Sequence, residues 1–173
     1  ASSSATISFV DGTSDVVLDN TYKEYLFTFN NMHPASDAVN FVFNGSIDSG
    51  SNYNVTKTTT FFNAYHFENG SSAALTYNAS QDLAQSTDFQ ILEDSVGNDN
   101  DQSCAGYLHL FNPSSTTFVK HFISSNHRAF SGDASSENHV AGYFNTTSAI
   151  DAVQFKMSSG NIDAGDICLY GIN

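Results

Sequence analysis

The side chains able to do chemistry in this sequence are its carboxylates and imidazoles. The densest group lies in LEDSVGNDNDQSC, residues 92–104, where Asp94, Asp99 and Asp101 are interleaved with Asn98, Asn100 and one glycine, Gly97. Hard oxygen donors spaced around a glycine turn are what a calcium loop presents. The register argues against an EF-hand. Counted from Asp94, the third position is Val96, which has no side-chain oxygen. Counted from Asp99, the third and fifth are Asp101 and Ser103, but the sixth, where the loop needs glycine, is Cys104. A looser calcium site, completed by carbonyl groups or by another loop, keeps Asp99 and Asp101 as its ligands; such an ion steadies a loop and performs no chemistry. Taken whole, the stretch reads as an acidic turn that delivers the chain into the strand CAGYLHLF.

The six histidines, His33, His66, His109, His121, His127 and His139, are scattered. His109 and His121 fall on predicted strands, where a hydrogen-bonded imidazole is the ordinary expectation. There is no nucleophile elbow, zinc-protease helix motif, phosphate-binding glycine loop or dinucleotide fingerprint. Two facing carboxylates suffice for glycoside cleavage, but nearly all Asp and Glu fall in segments that read as turns, where they cap backbone N–H groups. The expectation is therefore a non-enzymatic protein with no catalytic residues. A glycan-cleaving depolymerase domain or a secreted lectin is the alternative of another class. Sugar binding points to Tyr65 and His66 in NAYHFEN, at a strand end beside a long polar stretch. With eight Tyr and no Trp, stacking falls to tyrosine; the competing reading is that Tyr65 caps the core. Five N-x-[ST] sequons, at Asn44, Asn54, Asn69, Asn78 and Asn145, matter only in a eukaryotic secretory pathway. Cys104 and Cys168 match no metal or redox spacing and read as free thiols packed as small hydrophobes.

The elements that position these residues read as strands. Tyr25, Phe27 and Phe29 share one face of EYLFTF, while Glu24 and Thr28 take the other. Val39, Phe41, Phe43 and Ile47 alternate with Asn40, Asn44 and Ser46; Val153, Phe155 and Met157 alternate with Gln154 and Lys156. Period two marks half-buried strands with a polar outer face. TISFV, NYNVTKTTTFF, GYLHLF, TTFVKHFI, HVAGYF and DICLYGI are weaker cases, and FNPSSTTF reads as a tight hairpin. The short stretch NASQDLAQ, residues 78–85, is the best helix candidate. Residues 68–100 form a polar, weakly patterned excursion. The pattern predicts an all-β, antiparallel jelly-roll-type β-sandwich of eight to ten strands, a single domain over residues 1–173. Residues 1–5 read as an attachment arm or a frayed terminus.

Composition bounds the partners. Five Lys and Arg face eighteen Asp and Glu, a formal charge of −13 in 173 residues. Such a chain repels phosphate backbones and anionic head groups, which argues against nucleic acid. No apolar run approaches the ~20 residues of a membrane helix, and the first residues have no secretory-signal pattern.

Several strings together resemble a family of virion structural proteins of marine tailed phages, those of cyanobacteria and other abundant ocean bacteria among them. They are TYKEYLFTF, NGSIDSGSNYNVTKTTTFF, NDNDQS, LHLFNPSSTTFVKHFIS, VAGYFNTTSAIDAVQFKMSSGNIDAG and the closing LYGI. The likeness covers nearly the whole chain and is most specific over Ser159–Ile172. Members are generally described as tail-fibre or structural proteins. The resemblance implies a jelly-roll-like sandwich without catalysis, made in a bacterial cytoplasm and carried on the virion. The role expected is a tail-fibre or spike module for host attachment through surface glycan, with a capsid decoration or head-fibre protein as the alternative. Partners would be other virion proteins and further copies of itself, as a homotrimer. Family members usually lack cysteine at the positions of Cys104 and Cys168. A particle surface in seawater calls for a polar-faced sheet with no exposed apolar patch.

Overall fold

The computed structural model describes residues 1–130 and 132–173. Alternating β-branched and aromatic residues form eleven strands: β1 (Ile7–Val10), β2 (Glu24–Pro34), β3 (Val39–Ser46), β4 (Lys57–Phe67), β5 (Ala73–Tyr77), β6 (Gln90–Val96), β7 (Cys104–Phe111), β8 (Lys120–Phe130), β9 (Ala134–Phe144), β10 (Ala152–Met157) and β11 (Ile162–Ile172). All strand neighbours are antiparallel. They make a four-stranded sheet, β1-β10-β3-β6, and a seven-stranded sheet, β11-β2-β7-β8-β9-β4-β5.

The two sheets share an aromatic core. Phe155 of β10 is its hub, with ring centroids 5.3 Å from Phe27, 5.2 Å from Phe29, 5.9 Å from Phe41, and 6.2 Å from both Phe9 and Phe43. Further along, Phe43 meets Phe122 edge-on at 5.0 Å and Phe144 at 6.0 Å. Burying each such ring stabilises the fold by about 2–3 kcal/mol, with edge-on contacts adding about 1.

The nine expected strands are present, and two more, β5 and β6, lie within the excursion that showed no clear pattern. NASQDLAQ is not a helix; it forms turns beside the lower part of β4, where Asn78 N donates to Phe61 O and Leu83 N to the Thr59 hydroxyl. The link between β7 and β8 spans residues 112–119, longer than a tight hairpin. Asn44 and Ser46 were expected on a polar outer face, yet both are fully buried. The segments flanking β4 and β6 pass over β3, and the Asn44 amide donates to Tyr53 O at 2.8 Å and Thr87 O at 2.9 Å. That burial closes the sequon at Asn44. Ile47, expected on the apolar face, lies beyond the strand and is exposed. Ser3 and Ser4 are hydrogen-bonded to Asp163 and Ile162 of β11, so the first residues lie along the sheet. The two thiols sit on opposite faces of the large sheet, Cys104 buried within and Cys168 half-exposed without.

The outer face of the seven-stranded sheet is not uniformly polar. Phe62, Tyr107, Ile123, Leu75, Tyr77 and Tyr170 are all exposed there, against the expectation of a sheet free of apolar patches. Five of the six histidines, all but His33, share that face through strand alternation.

Candidate functional site

The larger sheet overhangs the smaller one. Beside β6, the edge of the four-stranded sheet, the inner faces of β4 and β9 run on without a cover, and a cleft of about 250 Å³ opens there. Inward alternation on β4 brings Asn63, Tyr65 and Phe67 to its wall; Ser136 of β9 and Arg128 of β8 line it, and Asn78 and Asp94 close the rim. Tyr65 stands edge-on to Phe67 with centroids 5.8 Å apart. The Asn63 amide donates to the Ser136 hydroxyl at 3.0 Å.

Under the cleft lies a polar cluster where the rest of the core is aromatic. Two irregularities in the pairing of β6 with β3, between Val39 and Phe41 and between Phe41 and Val42, each insert an extra residue in β6. Ser95 adopts φ 44°, a left-handed backbone rare outside glycine. The result is that Glu93 and Asp94, neighbours in sequence, turn toward the same partners. Arg128 Nη1 lies 3.2 Å from Glu93 Oε1 and 2.5 Å from Asp94 Oδ1. The Asn138 amide donates to both carboxylates, at 2.7 Å to Glu93 Oε1 and 2.9 Å to Asp94 Oδ1. Gln81 Nε2 donates to Asp94 Oδ2 at 3.0 Å.

The two carboxyls differ in state. Burial drives the Glu93 carboxyl well above the usual carboxylate range, and the Arg128 charge only partly offsets it. Burial also pushes Asp94 up, but hydrogen bonds and charge from Arg128, with Asn138 and Gln81, outweigh it and leave Asp94 below its ordinary value. A guanidinium 3.2 Å from Glu93 suggests an ion pair. Arg128 has one charge for two carboxylates, however, and its shorter contact goes to the solvent-facing Asp94. Glu93, fully buried and with Oε2 accepting no hydrogen bond among the described residues, is the one that burial shifts toward its protonated form.

Of the residues singled out by sequence, Tyr65 lines this cleft. His66 follows it on the strand, points to the opposite face and is exposed. Asp99 and Asp101 lie elsewhere, in the turn between β6 and β7. The Asp99 carbonyl accepts from His33 Nε2 at 3.3 Å, and Asp101 lines a surface hollow with Asn31, His33 and Asp163. Among the described residues no three His, Cys, Asp or Glu side chains converge there or elsewhere as a metal would require. Gly97 serves the turn itself: a Cβ there would sit 1.6 Å from Gln102 Oε1, so the glycine lets Gln102 pack over the backbone. The stretch 92–96 is strand, not turn, and its two acidic residues, Glu93 and Asp94, belong to the cleft and the cluster under it.

No protein-family model, curated protein or solved structure matches the chain.

Glu93, Arg128 and Asn138 carry the cluster and were missed from sequence. One signal was available: Arg128 is the single arginine among five basic residues. It shares the inward alternation of Phe122, Ser124 and Asn126 on β8, a face that changes from apolar to polar along its length.

Proposed function

We propose that this chain is a non-enzymatic structural protein of a phage particle, a tail-fibre or spike-type module exposed on the virion. We further propose that the Tyr65 cleft is where it contacts host-surface glycan. The cleft carries the reading. The Tyr65 ring, braced by Phe67, offers a face to the C–H side of a sugar, and the Asn63 and Asn78 amides with the Ser136 hydroxyl offer donors and acceptors to its hydroxyls. Asp94 and Arg128 cancel in charge, which suits a neutral sugar better than a phosphate or a uronate. The volume, about 250 Å³, lies just below the usual range for small-molecule sites and fits one sugar residue of a longer glycan. The fold proposed for the module is a jelly-roll-type sandwich; seven of its ten strand connections pass from one sheet to the other, which favours that topology. Against glycan cleavage stands the burial of Glu93. It lies close to Asp94, yet no substrate oxygen can reach a carboxyl with no exposed surface.

The test is titration of the purified protein with neutral host-envelope polysaccharides. Wild type binds at least one of them, Tyr65→Ala weakens binding at least about tenfold (~1.4 kcal/mol) with an unchanged melting temperature, and His66→Ala binds normally. Failure to bind any glycan, or binding indifferent to Tyr65, removes the reading.

A further inference from the structure

The outer face of the seven-stranded sheet has no part in that cleft, and from its area, charge and shape we infer that it docks a second copy of this chain. Cross-strand registers set Leu26, His109, Ile123, Ala141 and Thr60 in one row and Thr28, Tyr107, Ser125, His139 and Phe62 in the next, so each of β2, β7, β8, β9 and β4 contributes one apolar side chain to a pair of adjacent rows. Ile123 is 48% exposed, Tyr107 41% and Phe62 39%. Five strands about 4.8 Å apart and four outward rows about 6.8 Å apart give a face of roughly 600 Å². Two such faces bury about 1,200 Å², the size at which specific interfaces begin.

Charge selects the occupant. Of eighteen carboxylates in the chain, these five strands contribute two, Glu24 and Glu137. Each is held by a histidine of the same face, Glu24 by His109 at 3.0 Å and Glu137 by His139 at 3.1 Å. Lys57, Lys120 and Arg128 are buried, which leaves Lys23 and Lys156 as the basic side chains on the acidic surface elsewhere. A basic partner would be drawn to that acidic surface and not to this face. A second copy, repelled by its own charge everywhere else, meets least repulsion here.

Shape agrees with self-pairing. A shallow hollow of about 440 Å³ between His121, Tyr143 and Thr60 adjoins the projecting Ile123. A symmetric interface needs a projection and a recess on the same patch.

Sedimentation velocity on the full chain tests this, with three variants. Wild type at ~50 µM runs as a dimer. Ile123→Asp raises the dissociation constant at least about a hundredfold (~2.7 kcal/mol). Ala141→Asp, in the same row, does the same and guards against a misfolded first variant, which circular dichroism would reveal. Ile47→Asp, at a site 46% exposed outside the face, leaves the oligomer intact. A wild type that stays monomeric, or an oligomer indifferent to both Ile123→Asp and Ala141→Asp, overturns the inference. Neither result bears on glycan binding at Tyr65, so the two ideas stand or fall separately.

Discussion

Two buried groups hold ionisable side chains away from their ordinary states, and each gives stability a slope with pH. Glu93 keeps its proton in the folded chain well above the usual carboxylate range because of burial. The unfolded chain releases that proton as pH rises past about 4.5, so this group costs stability increasingly above that pH. Glu93→Gln keeps the shape and an acceptor for Asn138 but removes the proton equilibrium. It should match wild type in urea unfolding near pH 4.5 and exceed it by more than about 1 kcal/mol at pH 8. A difference that does not grow with pH would mean that Glu93 is ionised and paired with Arg128. Lys57 slopes the other way. Fully buried, with Nζ donating to Asp88 O at 2.5 Å, its amine is pulled down to about 7 by burial, against a small opposing effect of Asp88. Between about pH 7 and 10.5 the unfolded chain carries a proton at this site that the folded chain lacks, so stability rises with pH through that window. Lys57→Met should abolish a gain of about 3 kcal/mol between pH 6.5 and 9.5.

At the scale of strands, the elements differ in how openly their sequences announce them. β2, β3 and β10 alternate large aromatic and polar residues, and their core-facing residues follow from period two alone. β10 is the clearest, since its Phe155 touches five other rings. Phe155→Ala should therefore cost about 3–5 kcal/mol by chemical denaturation, with no repacking able to refill the gap from one side. β5 was hidden because it is an exposed edge strand with no buried face to impose a pattern. β6 was hidden for the opposite reason. Its irregular pairing sends Leu92 and Glu93 both inward, so the alternation that betrays a strand is broken where the chemistry sits. The same break explains the site: Tyr65, which lines the cleft, was singled out from its type and place, whereas the acidic floor beneath it was not. His66 was grouped with Tyr65 by adjacency, but adjacent strand residues face opposite ways.

At the scale of the whole molecule, the interior is partly polar and the exterior strongly acidic, and the two facts are linked. Burying Lys57, Lys120 and Arg128 leaves Lys23 and Lys156 as the remaining basic side chains of a chain with a net charge of −13. Two such molecules repel at long range, while in the proposed pairing the outer face of the large sheet, with its two carboxylates held by histidines, would attract through apolar contact. Salt screens the first effect within about 10 Å at 0.1 M and leaves the second largely untouched. Self-association should therefore tighten with salt, by about tenfold (~1.4 kcal/mol) between 0.05 and 0.5 M sodium chloride in sedimentation equilibrium. An interface made of ion pairs would loosen over the same range. Tightening in the wild type that is absent in Ile123→Asp would tie the salt response to this face and not to the general loss of repulsion.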